Sequence, residues 1–200
     1  MIILMGLAGS GKSTQGRILA ERLGGEWLSA GQVLRETQDP AMREVMDRGE
    51  LVDDELVIRL METRMAQAEA AGKPVILDGY PRTVRQAKWV AARPAVSDGA
   101  EGSGVAGKVE TNRAAEVRAV IWLEVPKDEL IRRLQLRGRS DDQDAAAIEE
   151  RLKIVKENAD EVCHILAQKG VRILAVDGLG TPEEVTERVW ETVQKEIENE

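Results

Sequence analysis

M-I-I-L-M-G-L-A-G-S-G-K-S-T-Q-G-R-I-L-A-E-R-L, Met1 to Leu23, decides the fold. A short apolar run, Met1 to Met5, leads into G-L-A-G-S-G-K-S-T, Gly6 to Thr14, and then into a helix-favouring segment. The order is strand, G-x-x-x-x-G-K-[ST], helix, which is a phosphate-binding P-loop in its own context. The glycines at 6, 9 and 11 let backbone N–H groups close on a polyphosphate. The helix beginning near Lys12 directs the positive end of its dipole at the same point. Lys12 supplies a mobile cation, and Ser13 or Thr14 supplies a hydroxyl for Mg²⁺. A glycine-rich turn with a chance lysine and serine would lack this agreement of spacing, flanks and residue types.

Composition narrows what such a loop can serve. The chain has 200 residues, 42% of them apolar, so one domain with a real core is expected. A net charge of −8 argues against a general nucleic-acid or anionic-membrane binder, so an anionic ligand needs a local cluster of cations. Phe is absent and aromatics make up 2%, which leaves few platforms for stacking single-stranded bases. The single cysteine, Cys163, excludes an internal disulfide and a multi-cysteine zinc site. The apolar start runs straight into the loop, unlike a signal peptide, and no run is long enough to span a bilayer. A reducing cytoplasm is the expected compartment.

Along the chain, apolar runs alternate with helical patterns. Strands are expected at Ile2–Met5, Glu26–Ser29, Pro74–Asp78, Ala119–Val125 and Val171–Val176, several apolar on nearly every residue, as in strands covered on both faces. Helices are expected at Lys12–Leu23, Gly31–Thr37, Pro40–Arg48, Asp53–Ala71, Lys127–Arg137 and Asp142–Lys169, with another beginning at Thr181-Pro182-Glu183-Glu184. That last tetrad has a cap residue, a first-turn proline and a glutamate three residues after the cap. Strands alternating with helices predict an α/β fold, a parallel sheet with helices on both faces and its site at the carboxyl ends of the strands. Arg93 to Glu116 breaks the pattern: rich in Gly, Ala and Ser, it reads as an inserted surface loop. Its G-x-G-x-x-G, Gly102 to Gly107, has no strand before it or helix after it and carries no dinucleotide-binding meaning.

Three further blocks follow the P-loop: W-L-S-A-G-Q-V-L-R (Trp27–Arg35), M-D-R-G-E-L-V-D-D-E-L-V (Met46–Val57) and L-D-G-Y-P-R-T-V-R-Q (Leu77–Gln86). With R-R-L-Q-L-R-G-R-S-D-D-Q (Arg132–Gln143) and V-D-G (Val176–Gly178), in this order, the chain resembles the adenylate kinases and their nucleoside monophosphate kinase relatives over nearly all its length except the 93–116 loop.

The resemblance implies a P-loop NTPase αβα fold with a five-stranded parallel sheet, one kinase domain spanning 1–200 and two mobile flaps. One flap, 29–52, covers the monophosphate; the other, 137–143, is the short form of the lid over ATP. It implies reversible transfer of the γ-phosphoryl of Mg·ATP to a nucleoside monophosphate by a monomer. Gly9, Ser10, Gly11, Lys12, Ser13 and Thr14 would then cradle the ATP phosphates. Arg35 and Arg82 would grip the monophosphate, with Ala30, Glu50, Leu51, Val52, Gly79 and Gln86 around its ribose and base. Asp78 would hold Mg²⁺ through water, Arg133 would pack on the ATP base, and Arg137 would contact the ATP phosphates. Arg139 and Arg151 would reach the transferring group, and the main chain at Gly180 would touch the adenine of ATP.

Two nucleotides brought together bring several negative charges, and the transferring group is loosely bonded to both sides. The protein's tasks are to neutralise charge, align donor and acceptor, and exclude water. Arginine suits them because its planar fork binds phosphate through two parallel hydrogen bonds. No base is required, since the acceptor is already an anion; the only histidine, His164, sits in mid-helix.

Three positions depart from the adenylate kinase pattern. Ala30 stands where a threonine is usual and matches the uridylate/cytidylate branch, whereas Gln86 is the adenylate-type residue and offers adenine one donor and one acceptor. AMP is the favoured acceptor, with UMP or CMP as the alternative. Gln32 replaces an aspartate of the Mg²⁺ water shell, and Ser13 replaces a glycine, leaving Ser13 and Thr14 both eligible for the metal. A P-loop ATPase switch or assembly factor, and a small-molecule kinase of gluconate or shikimate type, are the competing classes. Neither needs the L-D-G-Y-P-R block.

Overall fold

The structure is a computed structural model that describes residues 1–37, 52–93, 116–137 and 145–198, without the side chains of residues 145–147 and 151. In chain order the described elements are β1 (Ile2–Gly6), α1 (Lys12–Leu23), β2 (Glu26–Ser29), α2 (Ala30–Glu36), α3 (Asp54–Ala70) and β3 (Val75–Asp78). They continue with α4 (Val84–Ala91), β4 (Ala119–Glu124), α5 (Lys127–Arg137), α6 (Ala145–Gln168), β5 (Arg172–Asp177) and α7 (Pro182–Glu198).

The strands form one sheet in the order β2-β3-β1-β4-β5, with every pair parallel. In the middle of it, Ile3 lies opposite Leu77 on one side and Val120 on the other. Because side chains alternate along a strand, β1 feeds both faces. Met1, Ile3 and Met5 join a cluster with Val33 and Leu34 of α2, Met61 and Met65 of α3, Val90 of α4, and Val162 and Leu166 of α6. Ile2 and Leu4 join the other, with Leu19 of α1 and Val185, Val189 and Val193 of α7. Double-sided burial explains the uninterrupted apolar reading of β1 and β3. Each fully buried Ile or Leu contributes about 1.5–3 kcal/mol over its exposed form. The edge strand β5 departs from the expectation of double cover: Ile173 is exposed and only Val176 is buried.

Local signals set the helix limits. Gly24 adopts a left-handed conformation and closes α1, as the Gly24-Gly25 pair predicts. Asp53 caps α3, its carboxylate accepting from the Glu55 and Leu56 N–H groups, each at 3.1 Å. At α7 the Thr181 hydroxyl accepts from Glu184 N–H while the Glu184 carboxylate accepts from Thr181 N–H, a closed capping box. Helix α4 has no counterpart in the sequence reading. It is eight residues long and begins within the L-D-G-Y-P-R-T-V-R-Q block, capped by Thr83 and buried through Gln86, Ala87 and Val90. The expected helix at 40–48, nearly all of the 93–116 loop and most of both flaps lie outside the described residues.

The strand order reverses direction at β1, between β3 and β4. In a parallel sheet this is the point where connections leave to opposite faces and a crevice opens beyond the carboxyl ends. Gly6, the loop to Lys12, and Asp78 at the end of β3 all stand there.

Candidate active site

The phosphate loop turns into α1 at Gly11, with φ +95° and open space where a Cβ would stand. The loop surface at Gly11 is thus open, at the N-terminus of α1 where an anion is favoured. Gln15, on the first turns of α1, is buried. It donates through Nε2 to Pro182 O at 3.0 Å, and its Oε1 accepts from the Thr186 hydroxyl at 2.8 Å. These bonds pin the phosphate-facing helix to the start of α7.

Lys12 is half-buried at the mouth of this loop. Its ammonium donates to Leu7 O at 2.8 Å and lies 3.5 Å from the Ser10 hydroxyl. Desolvation lowers its pKa to about 8; Asp78 opposes that shift, and the positive charges of Arg82 and Arg137 add to it. Ser13 donates from Oγ to Asp78 Oδ2 at 2.6 Å, joining the loop to the end of β3. Asp78 is buried, with 3% of its surface exposed, whereas Ser13 and Thr14 are both exposed.

Beyond Asp78 the chain turns at Gly79 (φ +66°), and Arg82 folds back so that its Nε donates to Gly79 O at 2.7 Å. A Cβ at position 79 would meet only the movable end of the Arg82 side chain, so it is the left-handed angle that calls for glycine there. Arg82 is exposed to solvent. Desolvation lowers its pKa, Asp78 opposes the shift and the charge of Arg35 reinforces it. Arg35, exposed on α2, lies against Gly31, and Ala30 is buried at the start of that helix.

Gln86 is buried on α4, 3% exposed. Its Oε1 accepts from the Arg82 main-chain N–H at 2.7 Å, and its Nε2 donates to Asp54 Oδ1 at 2.8 Å. Gln32, which stands where the related pattern has a metal-shell aspartate, pairs with Glu36 at 2.8 Å on the surface. Val52 packs on the main core.

On the donor side, Arg133 of α5 donates to Glu129 at 2.7 Å, to Gly178 O at 3.1 Å and to Gly9 O at 3.5 Å. It thus spans the phosphate loop and the exit of β5. Glu129 also binds Arg132, and hydrogen bonds from Arg132 and then Arg133 hold its pKa down to about 2. Gly180 follows in the loop before α7 at φ +106°. Arg137, at the end of α5, is exposed and close enough to influence Lys12.

The structure therefore brings Lys12, Ser13, Asp78, Arg82, Arg35 and Arg137 to one end of the sheet. Glu50, Leu51 and Arg139 lie outside the described residues, as does the side chain of Arg151. Gln15, Asp54, Thr83 and Glu129 escaped the sequence reading. Glu129 was findable as a glutamate four residues before an arginine on one helix. Gln15 was findable as a polar residue on the buried stripe with Leu19. Asp54 carried no separate signal, because Asp53 and Asp54 read together as an acidic helix start. Among the described residues the assembled site is a group of cations around one buried carboxylate, a charge pattern that suits anionic ligands.

Comparison with known proteins agrees in length and order. A family model described as an AAA domain matches residues 5–153. The chain is 32% identical to the adenylate kinase of Thermus thermophilus over 198 residues, 94% of each chain. It is 32% identical to that of Mycobacterium marinum over 200 residues, 97% of this chain and 99% of the relative. It is 34% identical to that of Maricaulis maris over 194 residues, 92% of this chain and 93% of the relative.

Proposed function

The chain belongs to the adenylate kinase family, and we propose that it transfers the terminal phosphoryl group of ATP to AMP, giving two ADP. The observation that carries this reading is the electrostatic cluster at the ends of β1 and β3. Lys12 serves the donor phosphates, Arg82 and Arg35 serve the acceptor phosphate, and Asp78 lies between them.

In this reading Gly9 to Thr14 hold the ATP phosphates against the N-terminus of α1, and Lys12 follows the γ-phosphoryl as charge moves. Arg133, fixed by Glu129 and by two carbonyls, packs on the ATP base beside Gly180. Arg35 and Arg82 hold the acceptor phosphate in line with the γ-phosphoryl, and Arg137, with Arg139 and Arg151, neutralises the group in transit. Ala30, Glu50, Leu51, Val52, Gly79 and Gln86 surround the acceptor nucleoside. The acceptor oxygen needs no base, since it carries a negative charge at neutral pH.

Mg²⁺ is the cofactor of this reading. The Ser13 hydroxyl and the Asp78 carboxylate are oxygen donors set side by side at the phosphate loop, the chemistry that this cation takes together with substrate phosphates. When bound it supplies charge neutralisation at the phosphate oxygens. Of the two candidate hydroxyls, Ser13 is the one already directed at Asp78.

We read the chain as one kinase domain whose flaps, 29–52 and 137–143, exclude water during transfer. Residues 93–116 are read as a surface insertion, and the enzyme as a cytoplasmic monomer. Among the described residues, no helix is long and apolar enough to cross a membrane. AMP is preferred to UMP or CMP because Gln86 presents both a donor and an acceptor, and because the curated relatives are adenylate kinases; Ala30 is the residue that points the other way. The deciding assay follows ADP formation from Mg·ATP with and without AMP. Formation of two ADP for each AMP consumed supports the proposal. ATP hydrolysis at the same rate without an acceptor overturns it in favour of an ATPase switch.

A further inference from the structure

We propose that Asp54 is a positioning residue that fixes the orientation of the Gln86 amide and so selects a 6-amino purine over a 6-oxo purine in the acceptor. The inference rests on AMP as acceptor and on Gln86 facing its base.

The two ends of the Gln86 amide are held by partners of opposite and unalterable character. Oε1 accepts from the Arg82 main-chain N–H at 2.7 Å, and a peptide N–H can only donate. Nε2 donates to Asp54 Oδ1 at 2.8 Å, and an ionised carboxylate can only accept. Flipping the amide would set N–H against N–H and oxygen against carboxylate. Asp54 is itself held. Its Oδ2 accepts from the Thr83 hydroxyl at 2.8 Å, and the Thr83 oxygen accepts from Gln86 N–H at 3.2 Å while capping α4. Asp54, Thr83 and Gln86 thus close a ring between the start of α3 and the start of α4. Asp54 is free for this role because Asp53 alone caps α3.

A primary amide has two acceptor sites on oxygen and two N–H donors. After the two protein bonds, Gln86 retains one of each, in fixed order. Adenine offers an N6–H donor beside the N1 acceptor, which matches that order. Hypoxanthine has nearly the same shape but offers the O6 acceptor beside an N1–H donor. It could be read only by the flipped amide that Asp54 and Arg82 oppose. A site built in this way rejects the reversed pattern because its buried polar groups would be left unpaired.

The test measures kcat and KM for AMP and for IMP, with saturating Mg·ATP, in the wild-type enzyme, Asp54→Asn and Thr83→Val. Asparagine can present either an acceptor or a donor, so the obligate constraint is lost. The expected result for Asp54→Asn is a fall of about tenfold or more in the AMP-to-IMP ratio of kcat/KM. The change appears in KM for the monophosphate, while KM for ATP stays within about twofold. Thr83→Val, which releases the other oxygen of Asp54, lowers the ratio in the same direction and serves if Asp54→Asn fails to fold. A wild-type ratio in a variant that binds ATP normally overturns the inference while leaving AMP as the acceptor. A wild-type enzyme that prefers a pyrimidine monophosphate overturns both.

Discussion

The Ser13 hydroxyl donates a 2.6 Å hydrogen bond to the Asp78 carboxylate, which ties the phosphate loop to the carboxyl end of β3. Ser13 and Thr14 are both exposed, and the bond alone tells them apart, since it is Ser13 that reaches Asp78. Ser13→Ala is therefore expected to raise the Mg²⁺ concentration for half-maximal rate by about tenfold, and Thr14→Ala by much less. Asp78→Asn, which keeps a hydrogen-bonding group but removes the charge, is expected to do at least as much as Ser13→Ala. Magnesium titrations of the three variants check the order. A larger effect at Thr14 than at Ser13 would reverse the assignment.

Lys12 makes the site pH-dependent in a direction that can be worked out. Its pKa in the folded protein is lowered by desolvation from 10.5 to about 8. Between those two values the unfolded chain binds the proton more than the folded one, so this group adds stability as pH rises through the window. Phosphate binding favours the charged ammonium and has the opposite effect on affinity. ATP should bind less tightly as pH climbs above about 8, and binding at a pH about one unit higher should draw a proton from solution. Calorimetry in two buffers of different ionisation enthalpy measures that uptake. ATP binding with no proton uptake at that pH would contradict the environment assigned to Lys12.

In the proposed function, Arg82 and Arg137 serve the substrate phosphates. Arg82→Ala and Arg137→Ala are each expected to cut kcat by about a hundredfold or more, on the order of 3 kcal/mol in the barrier. Arg82→Ala should also raise KM for the monophosphate, and Arg82→Lys should rescue little, because an ammonium cannot reproduce the planar fork. Steady-state kinetics check these effects, and near wild-type turnover in both alanine variants would remove the two arginines from the mechanism.

Stability has its own test away from the phosphates. Arg93 and Glu69 form a two-bond pair, 3.0 Å at each end, with side chains only 9% and 2% exposed. Removing one partner leaves a buried charge alone, so Glu69→Ala should cost about 3–5 kcal/mol. Replacing both with apolar residues of similar volume should cost far less. Denaturant unfolding measures the two losses, and a loss below about 1 kcal/mol for Glu69→Ala would show that the pair is not buried in solution.

Most of the sheet was legible because a strand buried on both faces announces itself as a continuous apolar run. β2 and α1 occupy the residues that the pattern assigns to them, and Gly24 ends α1 where a left-handed glycine should. β5 begins one residue later than expected, because Val171 lies just outside the edge pairing. Helix α4 was missed because its eight residues give barely two turns of periodicity. The phosphate loop was legible from local spacing alone. The contacts of Asp54 and Gln15 were not, since each depends on a partner far along the chain: Gln86 in one case, Pro182 and Thr186 in the other.

The most direct measurement is the initial rate of phosphoryl transfer from Mg·ATP to AMP, CMP, UMP, GMP and dTMP in parallel, each with a no-acceptor control. The expected result is rapid ADP formation with AMP, far slower transfer to the other four, and negligible hydrolysis without an acceptor. A preference for UMP or CMP would contradict the base assignment of Gln86, and turnover indifferent to any acceptor would contradict a two-nucleotide site altogether.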